Sequence, residues 1–154
     1  MKIADMLPPV PDIRWTLARQ SGVRYAVTRL HPDLTGGAPP PSRFETLLRA
    51  KTQFRNAGIE LIGLEGEQFP MERIKRGLPG RDEDIAVYQA IIRNMGALGL
   101  EFFSYSFMAH FKAYRTSVTT PERGGALTSA FDMDLVRDAP PVDDPPAGAD
   151  AMWA

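Results

Sequence analysis

The chain contains no cysteine and two histidines in 154 residues. Without thiols, neither a disulfide nor a thiolate metal site can form. His31 and His110 are far apart and the carboxylates are scattered, which matches no metal-ligand spacing. No metal site is therefore assigned within this chain. An excess of one charge is also lacking. The formal net charge is -1, whereas a nucleic-acid partner calls for a basic excess. No apolar run nears the roughly 18 residues of a membrane span. The opening "MKIADMLPPVPD" reaches its prolines too soon for a signal peptide. These absences predict a cytoplasmic protein with neither a nucleic-acid nor a membrane partner. Phosphate-cradling loops are missing too. "LPPVPD" stands where a G-x-G-x-x-G turn would follow the first strand, and no P-loop or Gly-x-Ser-x-Gly elbow occurs.

What is present suits a globular domain. Hydrophobic residues make up 44% and charged residues 24% of a chain long enough for one core. One pattern repeats. "SGVRYAV", "AGIELIG" and "LGLEFFS" each set a glycine (Gly22, Gly58, Gly99) before a short apolar run. Glycine favours the left-handed turn that ends a helix, and such runs fit buried strands. A helical pattern precedes each glycine. The first spans Ile13 to Gln20 and rests on Trp15, Leu17 and Ala18. The second opens with a Ser42/Glu45 capping box and carries Phe44, Leu47, Leu48 and Phe54. The third is capped by Asp82 and sets Ile85, Tyr88, Ile92 and Met95 on one face, widened by Ile91 and Leu98.

With "KIADML" as the first strand, strands and helices alternate up to a fourth strand. That order predicts an α/β fold of parallel strands with crossover helices. A barrel and an open doubly wound sheet both satisfy it. From Met108 to Gly148 there is little periodicity, and "ADAMWA" reads as a helix just begun. The expectation is a partial barrel-type domain over residues 1–154, with strand-helix units over about 2–107. A long irregular segment and the start of a next helix follow over about 108–154. The chain then reads as the N-terminal piece of something larger, or as a small domain with a disordered tail.

In parallel sheets, ligands meet the carboxyl ends of the strands. Those ends carry Met6 and Leu7, Arg29 and His31, Glu65 and Glu67, and Tyr105 and Ser106. Packing does not explain polar groups there. Arg29 suits a carboxylate held through two parallel hydrogen bonds. His31 or Glu65 suits proton movement or a bond to a sugar hydroxyl. Each alone also fits a solvated rim residue. His31, before Pro32, fits a turn, and His110, within "FMAHFKAY", fits packing. Their clustering on one rim points to a small hydroxylated acid.

The stretch "IKRGLPGRDEDIAVYQAIIRNMGALGL", with "YSFM" and "YRTS", resembles the mannonate dehydratases, enzymes of hexuronate breakdown. That family shows Ile-Lys-x-Gly-Leu-Pro-x-Arg-Asp, then a Tyr and an Ile-Arg-Asn, then Tyr-Asn-Phe-Met and an Arg-Thr. The matching residues here are Ile74, Lys75, Gly77, Leu78, Pro79, Arg81, Asp82, Tyr88, Ile92, Arg93, Asn94, Tyr105, Phe107, Met108, Arg115 and Thr116. "AVTRL" and "GIELIGLEG" sit where the family has its second and third strands, and the resemblance reaches about Asp134. It departs at Ser106, where the family has Asn. It departs again at Ala109, Lys112 and Ala113, where the family has Pro, Asp and Trp. These changes bear on which sugar acid is bound.

The resemblance implies a xylose-isomerase-like (β/α)8 barrel, with this chain as its N-terminal half of about four parallel strands. It implies dehydration of the sugar acid D-mannonate to 2-keto-3-deoxy-D-gluconate in glucuronate catabolism. It also implies Mn2+ or Fe2+ held by histidines, a cysteine and an aspartate of later strands, so the chain alone is expected to be inactive. Substrate-binding candidates are Arg29, His31, Glu65, Lys75, Tyr105, Ser106 and Arg115. Lys75 is expected to orient the acid, and Arg81 and Asp82 to fix the loop to the helix start. No residue is assigned the catalytic role. Two other readings stay open. One is a sugar isomerase or epimerase of the same barrel type. The other is a non-catalytic half-barrel that associates through its open sheet edges, as a homo-oligomer or with a partner.

Overall fold

Three glycines end three helices in one geometry. The computed structural model describes residues 1–108 and 115–137, which fall into the units Met1–Phe107 and Met108–Ala154. The first unit runs β1 (Ala4–Met6), α1 (Ile13–Gln20), β2 (Tyr25–Thr28), α2 (Phe44–Asn56), β3 (Glu60–Glu65), α3 (Glu72–Lys75), α4 (Arg81–Ala97) and β4 (Phe102–Ser104). Gly22, Gly58 and Gly99 follow α1, α2 and α4 with φ of 81°, 75° and 68°. Each donates its N–H to the carbonyl three residues back. The next residue, Val23, Ile59 or Leu100, donates to the carbonyl five back, on Ala18, Phe54 or Met95. Glycine adopts this left-handed end without a Cβ penalty, and an apolar contact accompanies it. Ala18, Phe54, Met95, Ile59 and Leu100 are all buried. Each helix stop therefore launches the next strand from the core.

β1 to β4 pair in parallel, in sequence order. Crossovers between parallel strands are right-handed, so an unreversed order leaves every helix on one face. A doubly wound sheet reverses its order midway. This sheet does not, which decides for the barrel-type winding. It also curls. Lys2, before β1, donates to Glu101, before β4, at 2.6 Å and lies 3.9 Å from Glu60. In a flat sheet three spacings of about 4.8 Å separate the outer strands. A direct bond between side chains flanking those strands marks a sheet curled around Lys2, whose ammonium sits 5.1 Å over the Tyr25 ring.

The helix-covered face is the core. Ala26, Leu61 and Leu64 of the sheet are buried with Leu47 and Ile91, and Trp15 stacks on Phe54 with ring centroids 3.9 Å apart. Asp12 caps α1, accepting from the Arg14 N–H at 2.9 Å and from Arg14 Nε at 2.8 Å.

Several expectations shift. α2 starts at Phe44 with Arg43 before it, so Ser42 lies outside the cap and the Ser42/Glu45 box does not form. Asn94 of α4 holds that entrance instead, donating to the carbonyls of Pro41 at 3.0 Å and Ser42 at 2.8 Å. The cap of α4 is Gly80, not Asp82, which falls inside the first turn. Leu17, Phe44, Leu48, Ile85 and Ile92 are exposed. Apolar spacing counted them into the core, but the buried stripes run through Leu47, Ala50 and Phe54, and through Asp84, Ile91 and Met95. The short α3 carried no periodic signal.

In the second unit, the segment read as irregular contains an antiparallel hairpin, β5 (Ser117–Pro121) and β6 (Leu127–Ala130), joined through Arg123–Gly125. Its strands are threonine-rich and exposed, so they lack the apolar alternation that marks a half-buried strand. The expected helix start at "ADAMWA", and His110, lie outside the described residues.

Gly63 pairs with Phe102, and a Cβ there would lie 2.8 Å from the Phe102 Cβ. Gly63→Ala is expected to lower stability by about 1–3 kcal/mol. Gly96→Ala, with nothing within 4 Å of the added atom, is expected to raise it by about 0.5–1 kcal/mol. Urea denaturation distinguishes the two. The Arg14 side chain, chiefly by its hydrogen bond, holds the Asp12 carboxyl below the usual carboxylate range. Its stabilisation is complete above that range and is lost as pH falls through the folded value. In thermal melts across acid pH, Asp12→Asn is expected to flatten part of the decline.

Candidate functional site

The carboxyl ends of the strands are stitched together by side chains as well as by the sheet ladder. The buried Thr28 hydroxyl donates to the Leu7 carbonyl at 2.8 Å, and Trp15 Nε1 donates to the Pro8 carbonyl at 3.0 Å. The buried Gln68 carboxamide joins two loops. Its Oε1 accepts from the Leu30 N–H at 2.8 Å, while its Nε2 donates to the carbonyls of Glu65 at 3.0 Å and Gly66 at 2.9 Å. The Gly66 N–H then reaches the Ser104 carbonyl at 2.8 Å. Gln68 belongs to no recognisable motif, and Thr28 only to the strand-like "AVTRL". Their one signal in the sequence is a polar letter where an apolar run ends.

Alternation along the strands assigns faces, with a register shift between Ala26 and Val27 that lets Leu61 and Leu64, three apart on β3, share one. Ala26, Thr28, Leu61 and Leu64 are buried towards the helices. Thr28 pairs with Leu64, and Glu65 with Ser104. The next side chains, Arg29, Glu65 and Ser104, therefore share one layer on the inner, concave face. Arg29 Nε is buried and has no hydrogen-bond partner among the described residues. Its side chain lies along Gly66, where a Cβ would sit 3.4 Å from Arg29 Cδ and 3.9 Å from Nη1. A buried N–H left unpaired costs about 1–3 kcal/mol, which sets Arg29 apart among the described side chains.

The other candidates are spread more widely. His31 caps the Pro32–Leu34 turn, where its Nδ1 accepts from the Asp33 N–H at 3.3 Å. Ser106 follows β4 and is half-buried. Tyr105 turns to the helix side. There it lines an apolar cleft of about 340 Å³ with Met71, Ile74, Ile85, Tyr88 and Phe107. Burial is the main reason the Tyr88 hydroxyl is pushed up from its ordinary value, with Tyr105 adding to the effect. Arg115 belongs to the second unit and donates to Ser129 Oγ at 3.2 Å.

Besides the local Arg76–Glu72 and Arg81–Asp82 pairs, two ion pairs tie the charged stretch around "KRGLPGRDED" to its surroundings. The Lys75 side chain is 5% exposed and pairs with Glu67, just after β3. Arg73 grips the buried Asp84 through both carboxylate oxygens, with Nε 2.7 Å from Oδ2. That hydrogen bond is the first cause of the raised Arg73 pKa. Arg73 also covers Gly80, where a Cβ would lie 2.9 Å from its Cζ. Arg73 and Asp84 thus fix the loop to α4. Arg81 and Asp82, expected to do so, are exposed and 3.6 Å apart. Spacing alone did not separate one arginine-aspartate pair from the other.

A family model described as D-mannonate dehydratase (UxuA) matches residues 12–143. The chain belongs to the mannonate dehydratase family. It is 35% identical over 125 residues to the mannonate dehydratase of Streptococcus pneumoniae (strain 70585), a match covering 80% of this chain and 33% of that one. With the Thermotoga maritima mannonate dehydratase it shares 33% identity over 98 residues, covering 64% of this chain and 27% of that one. The crystal structure of mannonate dehydratase from Streptococcus suis serotype 2 superposes with a TM-score of 0.69 at 29% identity. That superposition covers 92% of this chain and 40% of the other. The four parallel strands with their crossover helices match that structure, as a half-barrel should. The chain spans 33% of the length of the S. pneumoniae relative. The family is one of lyases and implies a divalent metal. Among the described residues no group of three or more His, Cys, Asp or Glu is placed to hold one.

Gln68→Leu leaves the Leu30 N–H and two carbonyls without their partner. The expected cost is about 1–3 kcal/mol in denaturant unfolding, together with faster hydrogen exchange at the Leu30 amide.

Proposed function

We propose that the inner lip binds the carboxylate end of D-mannonate for its conversion to 2-keto-3-deoxy-D-gluconate and water. The observation that carries this reading is the buried Arg29 Nε, without a partner among the described residues, beside a residue with no side chain. A guanidinium in that setting suits a carboxylate held through paired charge-assisted bonds. The chemistry explains the need. Dehydration removes the proton beside the carboxylate and the hydroxyl on the next carbon, which leave together as water. Negative charge builds on the carboxylate as the proton departs, and a preorganised cation stabilises it there. Glu65 and Ser104, in the same layer, are placed for sugar hydroxyls, with His31 and Ser106 farther out along the loops.

Lys75 acts at one remove in this reading, steadying the turn after β3 through Glu67. Arg115 enters it only through the family motif. The described residues offer no ligand set that fits the metal, Mn2+ or Fe2+. The setting is cytoplasmic hexuronate breakdown.

Two measurements test the reading. In NMR titrations, D-mannonate is expected to shift the amides of Arg29, Gly66 and Ser104, and neutral D-mannitol to leave them in place. Arg29→Gln is expected to weaken mannonate binding about tenfold or more with an unchanged circular dichroism spectrum. Equal responses to the two ligands, or an unaffected variant, contradict the reading. Separately, the chain alone with Mn2+ or Fe2+ is expected to form no keto acid from mannonate. Metal-dependent formation contradicts it.

A further inference from the structure

We propose that Gln68 is a positioning residue for the lip. It holds Arg29 against Gly66, so that the guanidinium is in place before a carboxylate arrives. This role rests on the carboxylate reading of Arg29, and every bond it needs is made within Met1–Phe107. The paired register of β2 and β3 ends at Thr28 and Leu64. Arg29 is the next residue, one step past that ladder. The amide after it, Leu30, donates to Gln68 Oε1 at 2.8 Å. Gln68 Nε2 donates to the carbonyls of Glu65 at 3.0 Å and Gly66 at 2.9 Å. Gly66 is also the residue along which the Arg29 side chain lies. One carboxamide therefore spans from the backbone beside Arg29 to the backbone beneath its side chain.

The chemistry of the strut suits one residue type. It calls for one acceptor and two donors in a single group, and a neutral carboxamide supplies both. A carboxylate would still accept from Leu30 but would set negative charge against two carbonyl oxygens. A methionine of similar length would offer neither function. Gln68 and Leu30 are both buried, and the low local dielectric strengthens such bonds. The turn they brace is a tight one, since Gly66 has a φ of 73° and its N–H reaches the Ser104 carbonyl at 2.8 Å. Gln68 thus bonds to Leu30, Glu65 and Gly66, the neighbours of Arg29 in sequence and in space. A side chain held in this way gives up less freedom when its ligand binds.

The test measures D-mannonate affinity of the whole chain by calorimetry in the wild type, Arg29→Gln, Gln68→Met and the double variant. Circular dichroism checks that each is folded. Gln68→Met is expected to weaken binding about tenfold. With Arg29→Gln already present it is expected to weaken binding less than about twofold further, because it acts through that guanidinium. A strut that serves stability alone would lower the denaturation midpoint and leave the affinity of the folded chain unchanged. A second measurement needs no substitution and decides alone if Gln68→Met does not fold. Coupling between sites is mutual, so saturating D-mannonate is expected to slow hydrogen exchange at the Leu30 amide at least about fivefold more than at the Ile59 amide. The Ile59 amide bonds to the Phe54 carbonyl at the other end of the sheet. An Arg29→Gln chain that binds as the wild type does contradicts the carboxylate reading and this role with it. If Arg29→Gln weakens binding but Gln68→Met does not, if the two losses add in full, or if both amides slow equally, the positioning role is overturned and the carboxylate reading stands.

Discussion

Parallel neighbours impose one requirement on this chain. After each strand the backbone must travel back over the sheet and re-enter it at the same level. Three times it does so through the same helix end, a left-handed glycine whose N–H, with that of the apolar residue after it, bonds back to the helix and ends it. Ala18, Phe54 and Met95 close those caps from the helix side, and Val23, Ile59 and Leu100 from the strand side. Because the strand starts are fixed, the strand ends are fixed too, and with them the layer that holds Arg29, Glu65 and Ser104. The placement of side chains at one end of the sheet depends on the turns at the other.

The two faces of the sheet do different work. The helix side takes the apolar residues and even turns Tyr105 towards Tyr88 and Ile74. The concave side keeps polar groups at its upper lip and a charge cluster around Lys2 at its lower end. The lower cluster is exposed, so its ion pairs contribute little to stability in water. Its value is geometric, since it reports the curl. At the lip, Thr28 and Gln68 donate to the carbonyls of Leu7, Glu65 and Gly66, so those acceptors are already engaged. That leaves the guanidinium with a buried donor to spare.

Much of this was legible in the sequence. The glycine-apolar repeat marked three helix ends, and α1 has the bounds its pattern predicted, Ile13–Gln20. What escaped has physical causes. Helix starts were misplaced because a serine or aspartate near the right position fits the rule for a cap, while the true entrances are set from outside, by Asn94 and by Arg73 over Gly80. Ile85 and Ile92 were counted as core because spacing cannot say which apolar stripe meets a sheet. The hairpin β5–β6 was missed because exposed threonine strands carry no apolar alternation. At the proposed lip, Arg29 and Glu65 were visible as charges ending apolar runs. Ser104 was hidden inside "FFSYSF", where only strand register separates the inward serine from the outward tyrosine.

The chain belongs to the mannonate dehydratase family, and the lip on its concave face is the site proposed here for the acid group of a sugar acid. The central claim is that the curled sheet presents Arg29 to a carboxylate. A crystal structure of the chain soaked with D-mannonate tests it most directly. The account predicts the carboxylate seated against the Arg29 guanidinium above Gly66, with hydroxyls towards Glu65 and Ser104. A carboxylate bound instead at the opposite end of the strands, among Arg24, Lys51 and Arg55, would contradict it.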